Sequence, residues 1–365
     1  MRTVAELRRT EEQQELAAVL GELLGRHAGP AAVRSSFDAP RGYDEKLWSM
    51  LCEQVGVGGL AIPEEYGGAG YGFAEVAVVL EELGRSLAPT PLLATTLATE
   101  TLLRAGAGDA CERLLPDVAG GTRTATLAWA GVTGMPEAEV SVSASEERLS
   151  GTVPHVLCGD TADVVLVVAR SGSGRGVFEV ASDAPGLRRT HTPTMDPGLR
   201  LARLDLDDTP ATPVSPDATH VLRRVHALGA AAVAATATGV AGRGLDMTVA
   251  YSKERVQFGR PIGSFQALKH RMADLLVLVE TSRSAALDAA VAVAEDVDGD
   301  GDVVRRTSVA KAWCDDALEK VAAETIQLHG GIAITWEHDA HLVFKRAHAL
   351  RQLFGPAHAH RKSLL

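Results

Sequence analysis

Two stretches of this chain contain no carboxylate at all: residues 218–245, and residues 340–365 beyond the last acid, Asp339. Aromatic residues are also scarce, at 4% of 365 residues, so the 46% hydrophobic fraction rests mainly on Ala, Val and Leu. The four cysteines, Cys52, Cys111, Cys158 and Cys314, form no C-x-x-C pair. That spacing indicates neither a zinc site nor a disulfide framework, and buried thiols in a reducing cytoplasm are expected. No basic excess exists: the formal net charge of -11 argues against a nucleic-acid surface, while a local basic patch for a phosphorylated ligand stays open. No long apolar run has membrane character. The stretch 225–242 comes nearest, but it is mostly Ala, Gly and Thr and is expected to form a helix packed between other helices. The N-terminus, MRTVAELRRTEEQQE, is too polar for a signal peptide. A cytoplasmic protein without a membrane anchor is the expectation.

What is present organises into three parts. At roughly 100–200 residues per domain, this length implies two or three domains. Residues 1–120 carry helical signals: Leu16, Val19, Leu20, Leu23 and Leu24 recur at helical spacing, and FAEVAVVLEELGRSL repeats the pattern after a Gly-rich loop at 61–72. Residues 121–215 hold short β-type runs, at 124–130, 140–145, 162–170, 176–180 and 199–208, separated by turn residues. Residues 216–365 predict long helices to about Glu254, from Gln266 to Asp296, from Val303 to Gly330, and from His338 to Phe354. The acidic run at 295–302 lacks the bidentate Glu of a calcium loop and is expected to be a solvated turn. The fold class is therefore mainly α with a small β-domain: an N-terminal helical domain, a middle antiparallel β-domain and a C-terminal helical bundle.

Two segments of the last part carry chemistry. Arg255 stands at a helix end before a Phe258–Gly259 turn, where a guanidinium can pair bidentately with a pyrophosphate. Phe258 offers an apolar plate to an adenine or ribityl face. The Gly330–Gly331 turn permits close backbone approach to a phosphate, and Gln327 lies one helical turn before it.

The segments 61–91, 251–275 and 324–347 resemble, in order, the N-terminal helical domain, the Arg-x-x-Phe-Gly segment followed by Gln266, and the Gln-x-x-Gly-Gly segment of the flavin-dependent acyl-CoA dehydrogenases. The similarity spans nearly the whole chain and extends to actinobacterial heteromeric members. It implies FAD as cofactor and α,β-dehydrogenation of an acyl-CoA thioester. It also implies an electron-transfer flavoprotein as acceptor, and a tetramer in which Arg255, Phe258, Gln266, Gln327, Gly330 and Gly331 hold the adenine end of a neighbouring subunit's FAD.

The family's reaction needs a carboxylate to remove the proton alpha to the thioester. Resemblance places one family position for it at Phe354 and the other at Gly229, and neither neighbourhood holds an acid. No catalytic residue and no metal ligand is therefore assigned. Family positions beside the flavin ring fall at 127–139, with Trp129 expected in the core, and at Val156 and Cys158. This pattern favours a base-lacking subunit that completes the FAD site of a second acyl-CoA dehydrogenase-like chain. The alternatives are a self-sufficient homotetramer with a displaced base, such as Asp246 or Glu64–Glu65, and a non-enzymatic binding or scaffold protein. The histidines 329, 338, 341, 348, 358 and 360 match no metal-helix spacing and are expected at a surface or interface.

Overall fold

Thr10 starts the first helix through a reciprocal cap. Its hydroxyl accepts the Gln13 N–H at 3.2 Å, and Gln13 Oε1 accepts the Thr10 N–H at 3.1 Å, a pairing that satisfies two otherwise orphaned donors. The computed structural model describes residues 8–129, 140–172, 174–296 and 301–365. The helices of the first part are α1 (Glu11–His27), α2 (Pro30–Phe37), α3 (Glu45–Met50), α4 (Phe73–Ser86), α5 (Leu92–Arg104) and α6 (Gly108–Ala119). Leu20, Leu23 and Leu24 of α1 are buried, as their spacing predicts, while Val19 points outward.

The middle part is one sheet built from β1 (Ala125–Ala128), β2 (Val142–Ser145), β3 (Arg148–Leu157), β4 (Val164–Ser171), β5 (Gly174–Ala181), β6 (Leu187–Thr192), β7 (Leu201–Pro210) and β8 (Thr212–Ser215). Its order is β6-β7-β3-β2-β4-β5-β8, with β1 beside β4. The ladders are antiparallel except that β1 and β2 each run parallel to β4. Strand β4 reads as a continuous apolar run because both of its faces are covered. Val164, Leu166 and Val168 enter the main helical core, and Val165, Val167 and Ala169 enter a second core with Phe178, Leu149 and Leu204.

Three strands of the sheet, β3, β6 and the four-residue β8, were not legible as such. The start of β3 carries Gly151, at φ +144°, and its ladder with β7 shifts register between Val153 and Val156, where Pro154 sits. Strand β6 is an edge strand with polar, mostly exposed residues. Part of the 127–139 segment and of the acidic turn, residues 130–139 and 297–300, lies outside the described residues.

The C-terminal part contains α7 (Thr219–Glu254), α8 (Gln266–Glu295), α9 (Gly301–His329), α10 (Ala340–Leu350) and α11 (Ala357–Lys362). The last predicted helix is shorter than its sequence suggests. It stops at Leu350 because Phe354 and Gly355 adopt φ +56° and +89° before Pro356. Helix α7 is long and apolar enough to span a membrane by composition, yet 94% of its most apolar window is buried inside the protein. Small residues allow this. A Cβ on Gly84 of α4 would lie 2.3 Å from the Thr236 carbonyl oxygen, and one on Gly239 would lie 1.9 Å from the Glu81 carbonyl oxygen. The Ala- and Gly-rich stretch at 227–242 thus serves close helix packing where α4 crosses it.

Gly239→Ala is expected to destabilise the chain by about 1–3 kcal/mol through overpacking against backbone. Gly21→Ala, on an exposed face of α1 with nothing within 4 Å of the added Cβ, is expected to stabilise by about 0.5–1 kcal/mol. Urea midpoints of the two variants check this; equal shifts would rule out the close-packing account.

Candidate functional site

Helix α7 ends at Arg255, where ψ turns to 120°. Residues Val256–Gln257 then pair with Arg260–Pro261 in a two-stranded ladder. Phe258 and Gly259 form its tip with φ +52° and +77°, the backbone signs of a tight hairpin turn of type I′. A bulky residue at positive φ is uncommon. Here it carries a phenyl ring 92% exposed to solvent, steadied by an edge-to-face contact with Phe265 at 6.2 Å. The Arg260 guanidinium lies over the other ring, 4.1 Å from the Phe265 centroid. The Arg255 guanidinium is exposed and has no partner among the described residues. It is not engaged in a helix-end ion pair.

The second segment lies beside the first. Tyr251, one turn before Arg255, stacks on His329 at 4.6 Å, and His329 immediately precedes Gly330. His329 Nδ1 donates to the Thr325 carbonyl at 2.7 Å, and burial keeps the ring neutral by lowering its pKa. Gly330 needs to be glycine for its φ of +66°. Gly331 does not: its φ is ordinary and a Cβ there would touch nothing within 4 Å. No feature of this chain's own packing therefore requires glycine at 331, and open space remains for a group from outside the chain. Gln327 is exposed at the end of α9, and Gln266 is exposed at the start of α8, its amide nitrogen 2.9 Å from His270 Nε2. The structure thus joins the Arg255 turn to the Gln327–Gly331 turn on one open surface. Unpaired guanidinium, free aromatic plate and accessible glycine fit the polyphosphate and base of a dinucleotide.

The two positions that would carry a base converge on one point, and that point is filled. A Cβ on Gly229 would lie 2.3 Å from Phe354 Cε1. The Phe354 ring is 5% exposed, stacks on Trp129 at 6.3 Å, and meets His226 edge-on at 6.3 Å. Trp129 therefore packs against this chain's own phenylalanine. Val156 and Cys158 are also turned inward: Val156 belongs to the second core, and burial pushes the Cys158 thiol up to about 12. Neither presents a side chain to a ligand.

Behind Phe354 lies a buried polar group of which the sequence pointed only to His360, and that as a surface or interface residue. His226 Nε2 and His360 Nε2 both point at the Phe354 carbonyl, at 3.1 and 2.8 Å. Lys311, 0% exposed, donates to the Gly355 carbonyl at 3.2 Å and pairs with Asp315 one turn along α9. Burial lowers the Lys311 pKa and pushes Asp315 up to about 6. The available signal was a Lys and an Asp four apart in α9, on a face that also carries Ser308, Cys314 and Leu318. His329, His341 and His360 are likewise buried, at 3, 7 and 1% exposure, rather than at a surface. Neighbouring side chains close over each of them once α9, α10 and α11 pack together.

Comparisons with known proteins place this fold in a class of dehydrogenases. The sequence profiles of the acyl-CoA dehydrogenase N-terminal and C-terminal domains match residues 10–122 and 220–365. The chain is 44% identical over 343 residues to the acyl-CoA dehydrogenase IpdE2 of Mycobacterium tuberculosis, covering 94% of this chain and 93% of that protein. Among solved structures, a chain of a variant of the Tcur3481-Tcur3483 steroid ACAD superposes with a TM-score of 0.86 at 34% identity, covering 97% of this chain and 96% of that one. A chain of the ChsE4-ChsE5 complex from Mycobacterium tuberculosis superposes with a TM-score of 0.89 at 30% identity, covering 98% and 97%. This chain belongs to the acyl-CoA dehydrogenase family of FAD-dependent oxidoreductases.

The buried histidines set a pH dependence. Burial lowers His226, His360 and His341 to about 4 from an ordinary value of 6.5. Unfolding then takes up protons between those values, so stability present above pH 6.5 is lost as pH falls toward 4. Asp315 opposes this, because its raised pKa makes the folded state bind a proton between about 4 and 6. Burial also lowers His329 and His338 and raises Glu82, so five histidines stand against two carboxyls. Urea midpoints are expected to fall from pH 7 to pH 4.5, and His226→Gln to flatten that fall. A midpoint independent of pH in both proteins would contradict neutral burial.

Proposed function

We propose that this chain is the base-lacking subunit of a heteromeric acyl-CoA dehydrogenase. On this reading it completes, with Arg255, Phe258, Gln266, Gln327, Gly330 and Gly331, an FAD site whose flavin end and catalytic carboxylate belong to a partner subunit. The observation that carries the reading is a contrast within one chain. The seat at Gly229 and Phe354 is occupied by a phenyl ring, while the surface at Arg255, Phe258 and Gly331 is unpaired and open. Arg255 supplies a fixed cation to the pyrophosphate, Phe258 a plate for the base, and Gly331 room for close approach. Bound FAD would supply the acceptor for hydride from the acyl β-carbon. No acid lies near either base position in the sequence, and the carboxylate beside the Phe354 turn, Asp315, is buried against Lys311.

The relatives fit this assembly: two of the similar solved chains belong to structures named for two proteins together, one of them termed a steroid ACAD. An acyl-CoA thioester is the substrate class, with a bulky acyl end in keeping with that term; an electron-transfer flavoprotein is the acceptor.

A self-sufficient homotetramer is disfavoured by the position of its candidate bases. Asp246 is paired with Arg85 at the surface, and lies 17 helical positions from Gly229 on α7, about 25 Å along the axis at 1.5 Å per residue. Glu64 and Glu65 are exposed in a short turn.

The test is native mass spectrometry and flavin absorbance on the protein purified untagged from its own host. The expected result is an equimolar second chain and one FAD per two chains. Arg255→Ala is expected to lower flavin content at least tenfold at low micromolar FAD, consistent with loss of a bidentate charged contact of about 1.5–3 kcal/mol. Phe354→Glu in the homomeric chain is expected to give no dehydrogenation of any acyl-CoA. A tetramer of 38.3 kDa chains alone, fully loaded with FAD and active, would overturn the proposal.

A further inference from the structure

The Phe354 turn is held by its backbone. The Phe354 carbonyl oxygen has two lone-pair directions, and both are used, by His226 Nε2 at 3.1 Å and His360 Nε2 at 2.8 Å. The next carbonyl, of Gly355, is held by Lys311 Nζ at 3.2 Å. Three donors from three different helices, α7, α9 and α11, thus fix two consecutive peptide groups. His360 is itself fixed from behind, with Nδ1 3.1 Å from the Ser308 hydroxyl, and the His226 and His360 rings stack at 5.6 Å and 16°. Lys311 and Asp315 are 0% and 1% exposed as side chains. A fully buried ammonium is costly unless paired and hydrogen-bonded, and here it has one carboxylate and one carbonyl. The turn so held has a residue, Phe354, at φ +56°, a conformation that costs a bulky side chain energy and persists when its surroundings enforce it.

We infer that His226, His360 and the Lys311–Asp315 pair are positioning residues that hold the Phe354 turn in its strained conformation and so keep the ring over Gly229, closing this subunit's own seat. The inference rests on the reading of that seat as closed, given under Proposed function, but not on the partner or on FAD.

A carbonyl only accepts, so both histidines must carry their proton on Nε2. His360 Nδ1 is then the acceptor of the Ser308 O–H. This gives a requirement that can fail, since a ring with its proton on Nδ1 could not donate to the Phe354 carbonyl. Nitrogen-15 spectra of the full chain with labelled histidine, assigned by His226→Gln and His360→Gln, are expected to show both rings as neutral Nε2–H tautomers at pH 7. Either ring in the Nδ1–H form, or charged, would overturn the clamp.

Hydrogen exchange by mass spectrometry supplies the second test. His226→Leu, and separately the paired replacement Lys311→Met with Asp315→Leu, are expected to speed exchange over residues 351–358 at least tenfold. Residues 230–250 of α7 should stay within about threefold of the parent. His226→Gln, which keeps an N–H donor, is expected to restore most of the protection. Unchanged exchange at 351–358 in a folded variant would overturn the inference, as would acceleration spread evenly over α7 and α9. If the leucine and methionine variants do not fold, the tautomer spectra of the parent decide alone. Failure of the heteromer reading would show instead in the flavin stoichiometry, which neither measurement touches.

Discussion

The structure depends on a central helix, α7, whose middle turns carry little side-chain bulk. Helix α7 is buried along most of its length, and α4, α5, α8, α9 and α10 all pack on it. Each glycine along it accommodates a different neighbour. Gly229 admits the Phe354 ring, Gly239 the Glu81 carbonyl of α4, and Gly244 the Thr325 hydroxyl of α9, where a Cβ would meet oxygen at 2.9 Å. Interiors packed to crystal-like density transmit such constraints directly. Adding a methyl would press on an aromatic ring at Gly229, on backbone at Gly239 and on the Thr325 and Val343 side chains at Gly244, so α7 sets how closely its neighbours approach.

Both sites sit on this helix, at opposite ends. Its C-terminus delivers Arg255 to an open surface, and the Tyr251–His329 stack brings the Gly330–Gly331 turn beside it. Nearer its N-terminus, His226 and Gly229 face the Phe354 turn, and there the protein is filled. The same scaffold therefore supports a ligand-competent surface at one end and a closed seat at the other. Electrostatics follow the same division. The guanidinium at the open end is unpaired, whereas the cations at the closed end and at the junction with the sheet are buried in ion pairs. Lys311 meets Asp315, Arg224 meets Glu100 at 2.7 Å, and Arg346 meets Asp196 between α10 and the loop before β7.

Closure at Phe354 combines aromatic packing with carbonyl capture. Trp129 and Phe354 stack with 23° between their planes, and offset stacking of this kind adds roughly 0.5–1.5 kcal/mol to area burial. Polar groups close behind them meet the turn's own carbonyls, while one Asp315 oxygen, Oδ1, has no partner among the described residues. Burial makes Asp315 reluctant to ionise, since taking a carboxylate out of water favours its protonated form.

Much of this was legible along the chain. Periodicity located α1, α4, α8 and α9, and the turn residues marked the turns at Phe258–Gly259 and Gly330, because helical spacing and glycine requirements are local properties. Strands β3 and β6 were harder, since a bulge at Pro154 and an edge position for Arg188 and Arg189 make sense only once β7 lies alongside. The absence of acid near residues 229 and 354 was also plain from the sequence alone. What the sequence could not determine is that those two positions, far apart in the chain, meet at one point, that a phenyl ring fills it, and that His226, His360 and Lys311 converge on two consecutive carbonyls. Those facts depend on how α7, α9 and α11 cross, and helix crossing is fixed by side-chain volumes summed across the core, which no single segment encodes.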